Sequence, residues 1–551
     1  MQQLRILFCL CVIAAMPVSA QTAPLSSIPH LEKRGNVTQL IVDGKPFLAL
    51  AGELSNNAAT NLEYMKPIWP KLAAAHLNTV LTAISWAMFE RSEGKFDYTL
   101  IDGLIQDARQ QHLRLVLLWF GSWKNTSSSY APDWVKKDFQ RFPRLQLLDG
   151  SGTERLTPLS DTNRDADARA FAALMRRVRQ VDGGAHTVVM IQVENEVGVH
   201  PDARDHSPVA NAAYDQPVPK DLMDYLQKHK ETLTPELRAK WQTTGFKSSG
   251  NWEAVFGPGW ETEDLFMAWH YARYIGKVAE AGKAEYPLPM YVNAALIRPN
   301  YAPGQYNSGG PLAHSLDIWR AGGPQIDFLA PDIYRNFKDW CDKYDRSGNP
   351  LFIPEAAGGA VGAANVFYPI GQHNAFGFSP FAIERGIGGG GNELAQSYDV
   401  LSQLAPLILE NQTKGGVAGV LMEEFTLAQK IRLGDYILNV TPAPAGGRGP
   451  LGAPAPSPQA PQAAQSPYGI FIASKPDEYF LAGSGLSITF TPNTPGPPIA
   501  GLATVEEGRF TEGRWVPGLT LAGDDTGQGS NISLRGGRGP GILRVTLYRY
   551  R

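Results

Sequence analysis

Short apolar runs and amphipathic segments alternate along residues 40–410. The eight apolar runs cover residues 47–54, 79–86, 114–120, 187–196, 289–295, 326–333, 350–355 and 375–381. Helical spacing is found between them, over 99–111, 165–181, 264–281 and 313–322, and again over 392–411 after the eighth run. Strands that alternate with helices favour a parallel sheet. Eight such units predict an α/β fold, a (β/α)8 TIM barrel with insertions; if the first run is not a strand, seven units remain.

The pattern changes after Gly415, where short strands separated by turns are predicted over 416–424, 469–473, 478–482, 486–490 and 542–550. They indicate an appended all-β domain. We therefore divide the chain into a barrel over 21–412 and a β-sandwich-like domain over 413–551. Residues 441–467, rich in Pro, Ala, Gly and Gln, are predicted to form a flexible loop within that domain. The β domain is interpreted as structural support for the barrel, and a sugar-binding module is the alternative.

The longest insertion, residues 198–262, follows the fourth run and contains Trp241, Trp252 and Trp260. Loops of this length inside compact domains are usually either functional or disordered. The three Trp residues favour a wall of a binding cleft.

The N-terminus has the pattern of a signal peptide over residues 1–20. Arg5 precedes an apolar stretch, and Val18-Ser19-Ala20 forms a small-residue cleavage site. Cleavage would remove two of the three cysteines and leave Cys341, which excludes an internal disulfide in the mature chain. We expect a periplasmic or secreted protein with no membrane attachment in its mature form; an uncleaved anchor is the alternative.

Charge and motif content narrow the classes of partner. The net charge of -3 gives no sign of nucleic-acid binding. The ten His residues show no zinc-like spacing, and no nucleotide-binding fingerprint follows a predicted strand. The glycines at 388–391 are interpreted as a flexible loop. We expect no metal and no organic cofactor. The 12 Trp, 20 Tyr and 23 Phe mostly serve packing, although flat aromatic rings also suit sugar binding.

Two of the apolar runs end in carboxylates. The fourth run ends in Glu194-Asn195-Glu196 and the seventh in Glu355. An unpaired buried carboxylate is costly, but the carboxyl ends of barrel strands are where active sites form. Glu196 and Glu355 are therefore expected to face each other across a pocket. Two opposed carboxyl groups are what glycosidic bond cleavage requires, one as an acid and one as a nucleophile or base.

Residues near these strand ends are further candidates for substrate binding. Strict alternation would turn Glu194 to the same face as Glu196, one layer deeper, and Asn195 to the other face unless the strand end twists. Glu194 could equally be an ion-pair partner of Arg or Lys. Substrate stacking or hydroxyl recognition is predicted for Trp86, Trp123, Asn125, Asn293, Tyr334 and Glu53. A core role is the alternative for Tyr334, and a salt bridge at the barrel floor is the alternative for Glu53.

The segment Gln-Val-Glu-Asn-Glu at 192–196 resembles the acid/base signature of glycoside hydrolase family 35 β-galactosidases, although Val-Gly rather than Tyr-Gly follows it. Residues 86–98 are similar to the Trp-Asn-x-His-Glu-Pro segment of that family and the aromatics after it, and the likeness covers about residues 36–410. The resemblance implies a retaining mechanism with Glu196 as the acid/base and Glu355 as the nucleophile. Independently of the resemblance, a twist at the strand end would let the Asn195 amide bond a substrate hydroxyl, and a bond to the hydroxyl at C2 would strengthen in the transition state.

The implied function is an exo-acting β-galactosidase that releases terminal galactose from an oligosaccharide or polysaccharide. Departures from the family pattern at Ala83, Lys124-Asn125 and residues 356–359 resemble a bacterial branch, some of whose members act on xyloglucan side chains. A related β-glucosidase, β-mannanase or arabinosidase is the nearest alternative. A carbohydrate-binding protein without catalysis is the alternative from another class.

Overall fold

The structure, a computed structural model, describes residues 28–346, 348–387, 393–423, 426–443, 466–535 and 539–551. The strands are β1 (His30–Arg34), β2 (Val37–Val42), β3 (Lys45–Phe47), β4 (Ala49–Glu53), β5 (Thr79–Ser85), β6 (Arg114–Lys124), β7 (Arg144–Gln146), β8 (Gly152–Leu156), β9 (Val188–Asn195), β10 (Met290–Ala295), β11 (Phe328–Ile333), β12 (Ile353–Ala356), β13 (Gly377–Pro380), β14 (Val417–Leu421), β15 (Gln429–Leu433), β16 (Tyr436–Pro442), β17 (Tyr468–Lys475), β18 (Glu478–Ser484), β19 (Leu486–Pro492), β20 (Ile499–Thr511), β21 (Arg514–Thr520), β22 (Ile532–Leu534) and β23 (Gly541–Tyr550).

The helices are α1 (Leu62–Met65), α2 (Trp69–Ala74), α3 (Trp86–Phe89), α4 (Thr99–Gln110), α5 (Asp133–Lys137), α6 (Asp161–Asp182), α7 (Pro208–Tyr214), α8 (Lys220–Lys228), α9 (Pro235–Gln242), α10 (Trp252–Phe256), α11 (Trp260–Glu285), α12 (Leu316–Gly322), α13 (Phe337–Tyr344), α14 (Gly359–Asn365), α15 (Phe367–Gln372), α16 (Ile383–Gly386) and α17 (Glu393–Gln412). None of the described helices combines the length and the apolar character that a bilayer crossing requires.

Eight parallel strands close into a barrel in the order β4-β5-β6-β9-β10-β11-β12-β13, and β13 pairs with β4. Each predicted apolar run overlaps one of these strands, so the predicted (β/α)8 barrel is confirmed. The first run is a true barrel strand, because β4 pairs in register with both neighbours. Eight units are therefore present rather than seven.

Two apolar layers hold the barrel. Residues that face the helices form one large buried cluster, while Leu118, Tyr291 and Phe352 pack inside the barrel. The N-terminal antiparallel sheet β1-β2-β3, which the sequence did not predict, adds Leu40 and Val42 to the inner cluster. Since β3 leads directly into β4, this sheet covers the end of the barrel where the strands begin, and it leaves the carboxyl ends open.

The insertion after β9 is helical rather than an aromatic cleft wall. It contains α7, α8, α9 and α10, whose apolar faces pack on the barrel helices. Trp241 and Trp252 are each 1% exposed, and the Trp252 ring contacts Phe266 of α11. The predicted cleft-wall role is therefore wrong for these two residues, because their rings form a core of their own. Trp260 is exposed, but it does not line the cavity described below.

The C-terminal part is all-β, as predicted, and has two sheets that share a core. The six-stranded sheet has the order β14-β17-β18-β23-β20-β21, and the four-stranded sheet has the order β15-β16-β19-β22. Phe471 and Leu481 of the first pack with Leu438 and Ile488 of the second. The sequence missed β15, β16, β20, β21 and β22. The division at residue 412 stays a prediction, and most of the predicted loop 441–467 lies outside the described residues.

The six-stranded sheet also packs against the barrel helices. Ile470, Ile472 and Phe480 belong to the buried cluster that the helices form with the barrel strands. At the junction, a Cβ atom on Gly371 of α15 would lie 2.5 Å from the backbone nitrogen of Gly419 in β14. The two parts therefore touch backbone to backbone, and a side chain at Gly371 would separate them.

Several N-terminal and loop predictions fall outside the described residues. They are the signal peptide over 1–20, with Cys9 and Cys11, and the glycine loop at 388–391. Within the described part, Cys341 is a buried free thiol.

Candidate active site

Three carboxyl groups meet at the carboxyl ends of neighbouring barrel strands. Glu196 follows β9, Asp332 lies near the end of β11, and Glu355 lies near the end of β12, in register with Asp332. One carboxylate oxygen of each lies within 4.8 Å of one oxygen of the others. All three line a cavity of about 850 Å³. The structure thus brings the two predicted carboxylates together and adds a third.

The end of β9 departs from strand alternation. Glu194 and Glu196 both have left-handed backbone angles, with φ of 61° and 45°, which is uncommon for residues other than glycine. Glu194 consequently turns out of the barrel, whereas Asn195 and Glu196 both turn towards its mouth. The expectation that Glu194 shares a face with Glu196 is wrong because these two residues do not keep extended geometry.

Glu194 lies in a buried polar cluster behind the strand. Its oxygens accept hydrogen bonds from the backbone nitrogens of Ser122 (3.0 Å) and Trp123 (2.7 Å), and its carboxyl contacts that of Asp167 on α6. Burial and the charge of Asp167 raise the pKa of Glu194 well above its usual range. The alternative role of Glu194 as an ion-pair partner of Arg or Lys is therefore wrong, because its described partners are backbone N–H groups and a second carboxyl. Gly121 makes room for it, since a Cβ there would lie 2.5 Å from the Glu194 Oε1 atom.

Asn293 fixes Glu196 through the main chain. Its Oδ1 accepts a hydrogen bond from the Glu196 nitrogen (2.9 Å), and its Nδ2 donates to Asp332 Oδ2 (2.7 Å). Asn307 donates from Nδ2 to the Glu196 carbonyl (2.9 Å). Asn293 is fully buried, so the structure gives it a positioning contact to two of the carboxylate residues instead of a free side chain in the cavity.

Glu355 is buried, with one oxygen held and the other free. The Tyr334 hydroxyl donates to Oε1 at 2.5 Å, while Oε2 has no hydrogen-bond partner. Burial and then the charge of Glu196 raise the pKa of Glu355 to about 7, opposed by Lys124 and by the Tyr334 hydrogen bond. Tyr334 is 48% exposed and lines the cavity, so its alternative role in the core is ruled out.

Asp332 is a site residue that the sequence reasoning missed. Its side chain is buried, Oδ1 has no partner, and burial together with Glu355 and Glu196 raises its pKa well above the usual range. The signal was present: the run 326–333 carries a charge near its end, as the fourth and seventh runs do.

Lys124 is the second missed residue, and it ties Asn195 and Asn125 together. Its ammonium group donates to Asn195 Oδ1 at 2.9 Å and to Asn125 Oδ1 at 2.7 Å. The lysine therefore orients the Asn195 amide, whose Nδ2 is buried and has no partner. The Asn125 side chain is exposed and does not line the cavity, so it anchors the lysine in this structure.

Glu53, at the end of β4, is buried with neither carboxylate oxygen hydrogen-bonded. Burial and the charge of Glu355 raise its pKa well above the usual range, and Lys124 opposes them. No ion pair of Glu53 is found among the described residues, which corrects the salt-bridge alternative. A buried acid without partners is costly unless a ligand or water supplies hydrogen bonds.

Trp86 and Trp123 are buried packing residues. The Trp86 indole nitrogen donates to Glu90 at 2.7 Å, and that of Trp123 donates to the Leu156 carbonyl at 3.0 Å. Neither ring is exposed, so the predicted stacking of these rings on a substrate is corrected. The aromatic surface of the cavity comes from the segments after β10 and β11. Tyr334 was predicted there, whereas Tyr301 and Trp340, with Arg298 and Arg335, were not.

Glu196, Asp332 and Glu355 are also the cluster within the described residues that could hold a metal ion. Three carboxylate oxygens suit a hard cation. They suit two-carboxylate chemistry on a sugar equally well. The expectation of no metal and no cofactor stays a prediction.

Two family models match parts of the chain. The glycoside hydrolase family 42 model, described as "Beta-galactosidase", matches residues 60–274, and a "Domain of unknown function (DUF5597)" matches residues 394–533. A "Beta-galactosidase" from Xanthomonas manihotis is 28% identical over 209 residues. The match covers 37% of this chain and 31% of the length of that relative.

Similar solved structures include two β-galactosidases and a β-amylase. The β-galactosidase from Bacillus circulans sp. alkalophilus is 15% identical with a TM-score of 0.45, and the match covers 66% of this chain and 57% of that one. The enzyme from Halorubrum lacusprofundi is 15% identical with a TM-score of 0.41, covering 65% and 58%. The catalytic domain of the Paenibacillus polymyxa β-amylase is 11% identical with a TM-score of 0.43, covering 60% and 91%.

These comparisons correct the predicted family. The matching model is that of family 42, so the predicted likeness to family 35 is wrong at the level of the family. The matched region includes Glu196 and ends before Glu355. Over residues 60–274 the chain is similar to glycoside hydrolase family 42 β-galactosidases, which confirms the predicted resemblance to a glycoside hydrolase of the β-galactosidase type.

Proposed function

We propose that the protein is a retaining exo-β-galactosidase that releases terminal galactose from an oligosaccharide or polysaccharide. The supporting observation is the meeting of Glu196 and Glu355 at the cavity, with oxygens within 4.8 Å. Carboxyl groups about 5–5.5 Å apart are typical of retaining glycosidases, and separations of about 6.5–9.5 Å are typical of inverting ones. The short separation favours direct attack by a carboxylate.

In the proposed reaction, Glu355 attacks the anomeric carbon and the glycosidic C–O bond breaks. Glu196 gives its proton to the departing oxygen, so a galactosyl ester of Glu355 and a free alcohol result. Glu196 then takes a proton from water, which attacks the same carbon and releases galactose and the Glu355 carboxylate. The bond to Tyr334 and the charge of Lys124 favour the ionised nucleophile.

The polar groups without partners fit sugar binding. The Asn195 Nδ2 atom can donate to the hydroxyl at C2, a bond expected to strengthen in the transition state. The free oxygens of Glu53 can accept from two further hydroxyls. A galactosylated xyloglucan side chain is the proposed substrate, and the proposed location is the periplasm or the outside of the cell.

A related β-glucosidase, β-mannanase or arabinosidase would use the same carboxylate pair. A panel of nitrophenyl glycosides separates these enzymes: the β-galactoside is expected to be hydrolysed fastest. Binding of galactosides without turnover of any glycoside would instead identify a carbohydrate-binding protein.

Mechanism-based trapping tests the proposal directly. A 2-deoxy-2-fluoro-β-galactosyl fluoride is expected to label Glu355, because the fluorine at C2 slows both formation and hydrolysis of the ester, while the good fluoride leaving group speeds formation alone. Peptide mass spectrometry after proteolysis locates the label. A label on Asp332 or Glu53 would reassign the nucleophile, and no label with active enzyme would contradict the covalent mechanism.

The acid limb of the pH profile is expected near pH 7. The pKa of Glu355 is raised to about 7, so below this pH the nucleophile is protonated and kcat/KM for a nitrophenyl β-galactoside falls. Lys124→Met removes a charge that lowers this pKa, and we expect it to move the limb to higher pH. Lys124→Arg, which keeps the charge, is the control. A limb that stays in place in Lys124→Met would contradict the assignment.

A further inference from the structure

A second cavity, of about 600 Å³, opens between the segment after β4 and the segment after β13. Its polar lining consists mainly of Ser55, Asn56, Asn57, Asn61, Tyr64 and Arg385. Neither the sequence patterns nor the proposed reaction uses these residues. We call this space the asparagine cavity.

The asparagine cavity adjoins the carboxylates. Phe381, in its lining, donates from its backbone nitrogen to the carbonyl of Ala356 (3.0 Å), the residue after Glu355. On the other side, Ser55 follows Glu53 by two residues, and two residues span at most about 7 Å. The 850 Å³ cavity is lined by residues at or after the ends of β10, β11 and β12, and the asparagine cavity by residues after β13 and β4. In the order of strands around the barrel, Glu355 on β12 therefore lies between the two cavities. A sugar at Glu355 therefore has an open polar space on either side.

The lining fits an uncharged ligand with many hydroxyl groups. Three Asn side chains offer donors and acceptors, and the Asn56 Oδ1 atom is buried without a hydrogen-bond partner. An acceptor of this kind requires a donor, which a sugar hydroxyl supplies. Tyr64 is 54% exposed and offers a ring face for the C–H side of a pyranose. Arg385 has an acidic neighbour within the fold, since its Nε lies 3.5 Å from Glu384.

Hydrogen bonds hold this lining in place. Glu384 accepts from the Ser55 backbone nitrogen at 3.1 Å and also from the Ser55 hydroxyl, which ties the segment after β4 to α16. Asn57 accepts from the Tyr130 hydroxyl at 3.1 Å, and Asn61 caps α1 through the Tyr64 nitrogen. A preformed site of this kind loses little entropy on binding.

From these contacts we propose that the asparagine cavity binds a second sugar unit of the same glycan, next to the galactoside that is cleaved. The inference rests on the proposed function and extends it. The enzyme would then recognise a galactoside together with a neighbouring unit of its chain, and a simple aryl galactoside would leave this site empty.

The variant Asn56→Ala/Tyr64→Ala tests the inference. The measured quantity is kcat/KM for a galactosylated xyloglucan oligosaccharide divided by kcat/KM for 4-nitrophenyl β-galactoside. We expect this ratio to fall about tenfold, the effect of losing one hydrogen bond and one ring contact. The control is Asn439→Ala, a partly buried Asn in the C-terminal sheet outside the lining of the asparagine cavity, which is expected to keep the ratio of the parent enzyme. An unchanged ratio in the double variant would overturn the inference.

A binding measurement separates this inference from the proposed function. Calorimetry with Glu355→Gln and a galactose-free xyloglucan oligosaccharide measures binding without turnover. Adding Asn56→Ala/Tyr64→Ala is expected to weaken that binding about tenfold, and equal affinities would overturn the inference. Absence of galactosidase activity in the parent enzyme would instead contradict the proposed function.

Discussion

Glu355→Gln is expected to lower kcat/KM on aryl β-galactosides by at least about 10⁴-fold, with good and poor leaving groups alike. The neutral amide of glutamine lacks the negatively charged oxygen that attacks the anomeric carbon, so the galactosyl ester cannot form. The loss does not depend on the leaving group because attack on the anomeric carbon precedes or accompanies every departure. Initial rates with a dinitrophenyl and a methyl galactoside measure both cases.

Stability provides the control for this variant. Glutamine keeps the shape of the side chain and can still accept the Tyr334 hydrogen bond. Because the pKa of Glu355 is raised in the folded protein, ionising it costs stability as the pH rises from its ordinary value through about 7. Glu355→Gln removes that cost, so its melting temperature at pH 8 should equal or exceed that of the parent. An inactive variant with a much lower melting temperature than the parent would instead indicate a structural role for Glu355.

Glu196→Gln is expected to separate good from poor leaving groups. General acid catalysis contributes about 10²–10⁴-fold, and a methyl galactoside, whose leaving oxygen needs a proton, should lose this factor in full. A dinitrophenyl galactoside needs no protonation, so formation of the galactosyl-enzyme should be slowed far less. Pre-steady-state kinetics with the dinitrophenyl substrate should then show a burst, because hydrolysis of the ester still lacks its base.

Glu261→Gln serves as the matched control, since Glu261 is an exposed carboxylate on α11 outside the cavity lining. It should retain parent activity on both substrates. Equal losses on good and poor leaving groups in Glu196→Gln would contradict its role as the acid. In that case Asp332, whose carboxyl lies in the same cluster, would be the next candidate.

The barrel could be predicted from sequence because each of its strands is marked by a short apolar run, a pattern that depends only on neighbouring residues. The run 114–120 is apolar after Arg114 because both faces of a parallel strand are covered, and the structure has β6 there. Glu196 and Glu355 could be paired because the closed barrel brings all strand ends to one face, whatever their distance along the chain. The family could not be fixed, because a five-residue signature describes a single strand end.

The details of the site could not be predicted because they depend on partners distant in sequence. The alternation of side chains along a strand predicted the wrong face for Glu194. Its left-handed backbone is stabilised by contacts with Ser122, Trp123 and Asp167, which are distant in sequence and leave no local pattern. Trp86 follows β5 and Trp123 lies near the end of β6, but the nearby helices and loops cover both rings. Their indole nitrogens are satisfied inside the protein, which no spacing reveals.

The shared core between the barrel helices and the six-stranded sheet has a consequence for where the chain can be divided. The domain of unknown function matches from residue 394, inside helix α17 of the barrel, to residue 533 in the β-sheets. The matched range therefore includes residues on both sides of the predicted division at residue 412. The packing does the same, because Ile470 and Phe480 belong to the buried cluster of the barrel. A chain truncated at residue 412 would therefore expose apolar side chains of the barrel helices that the six-stranded sheet covers.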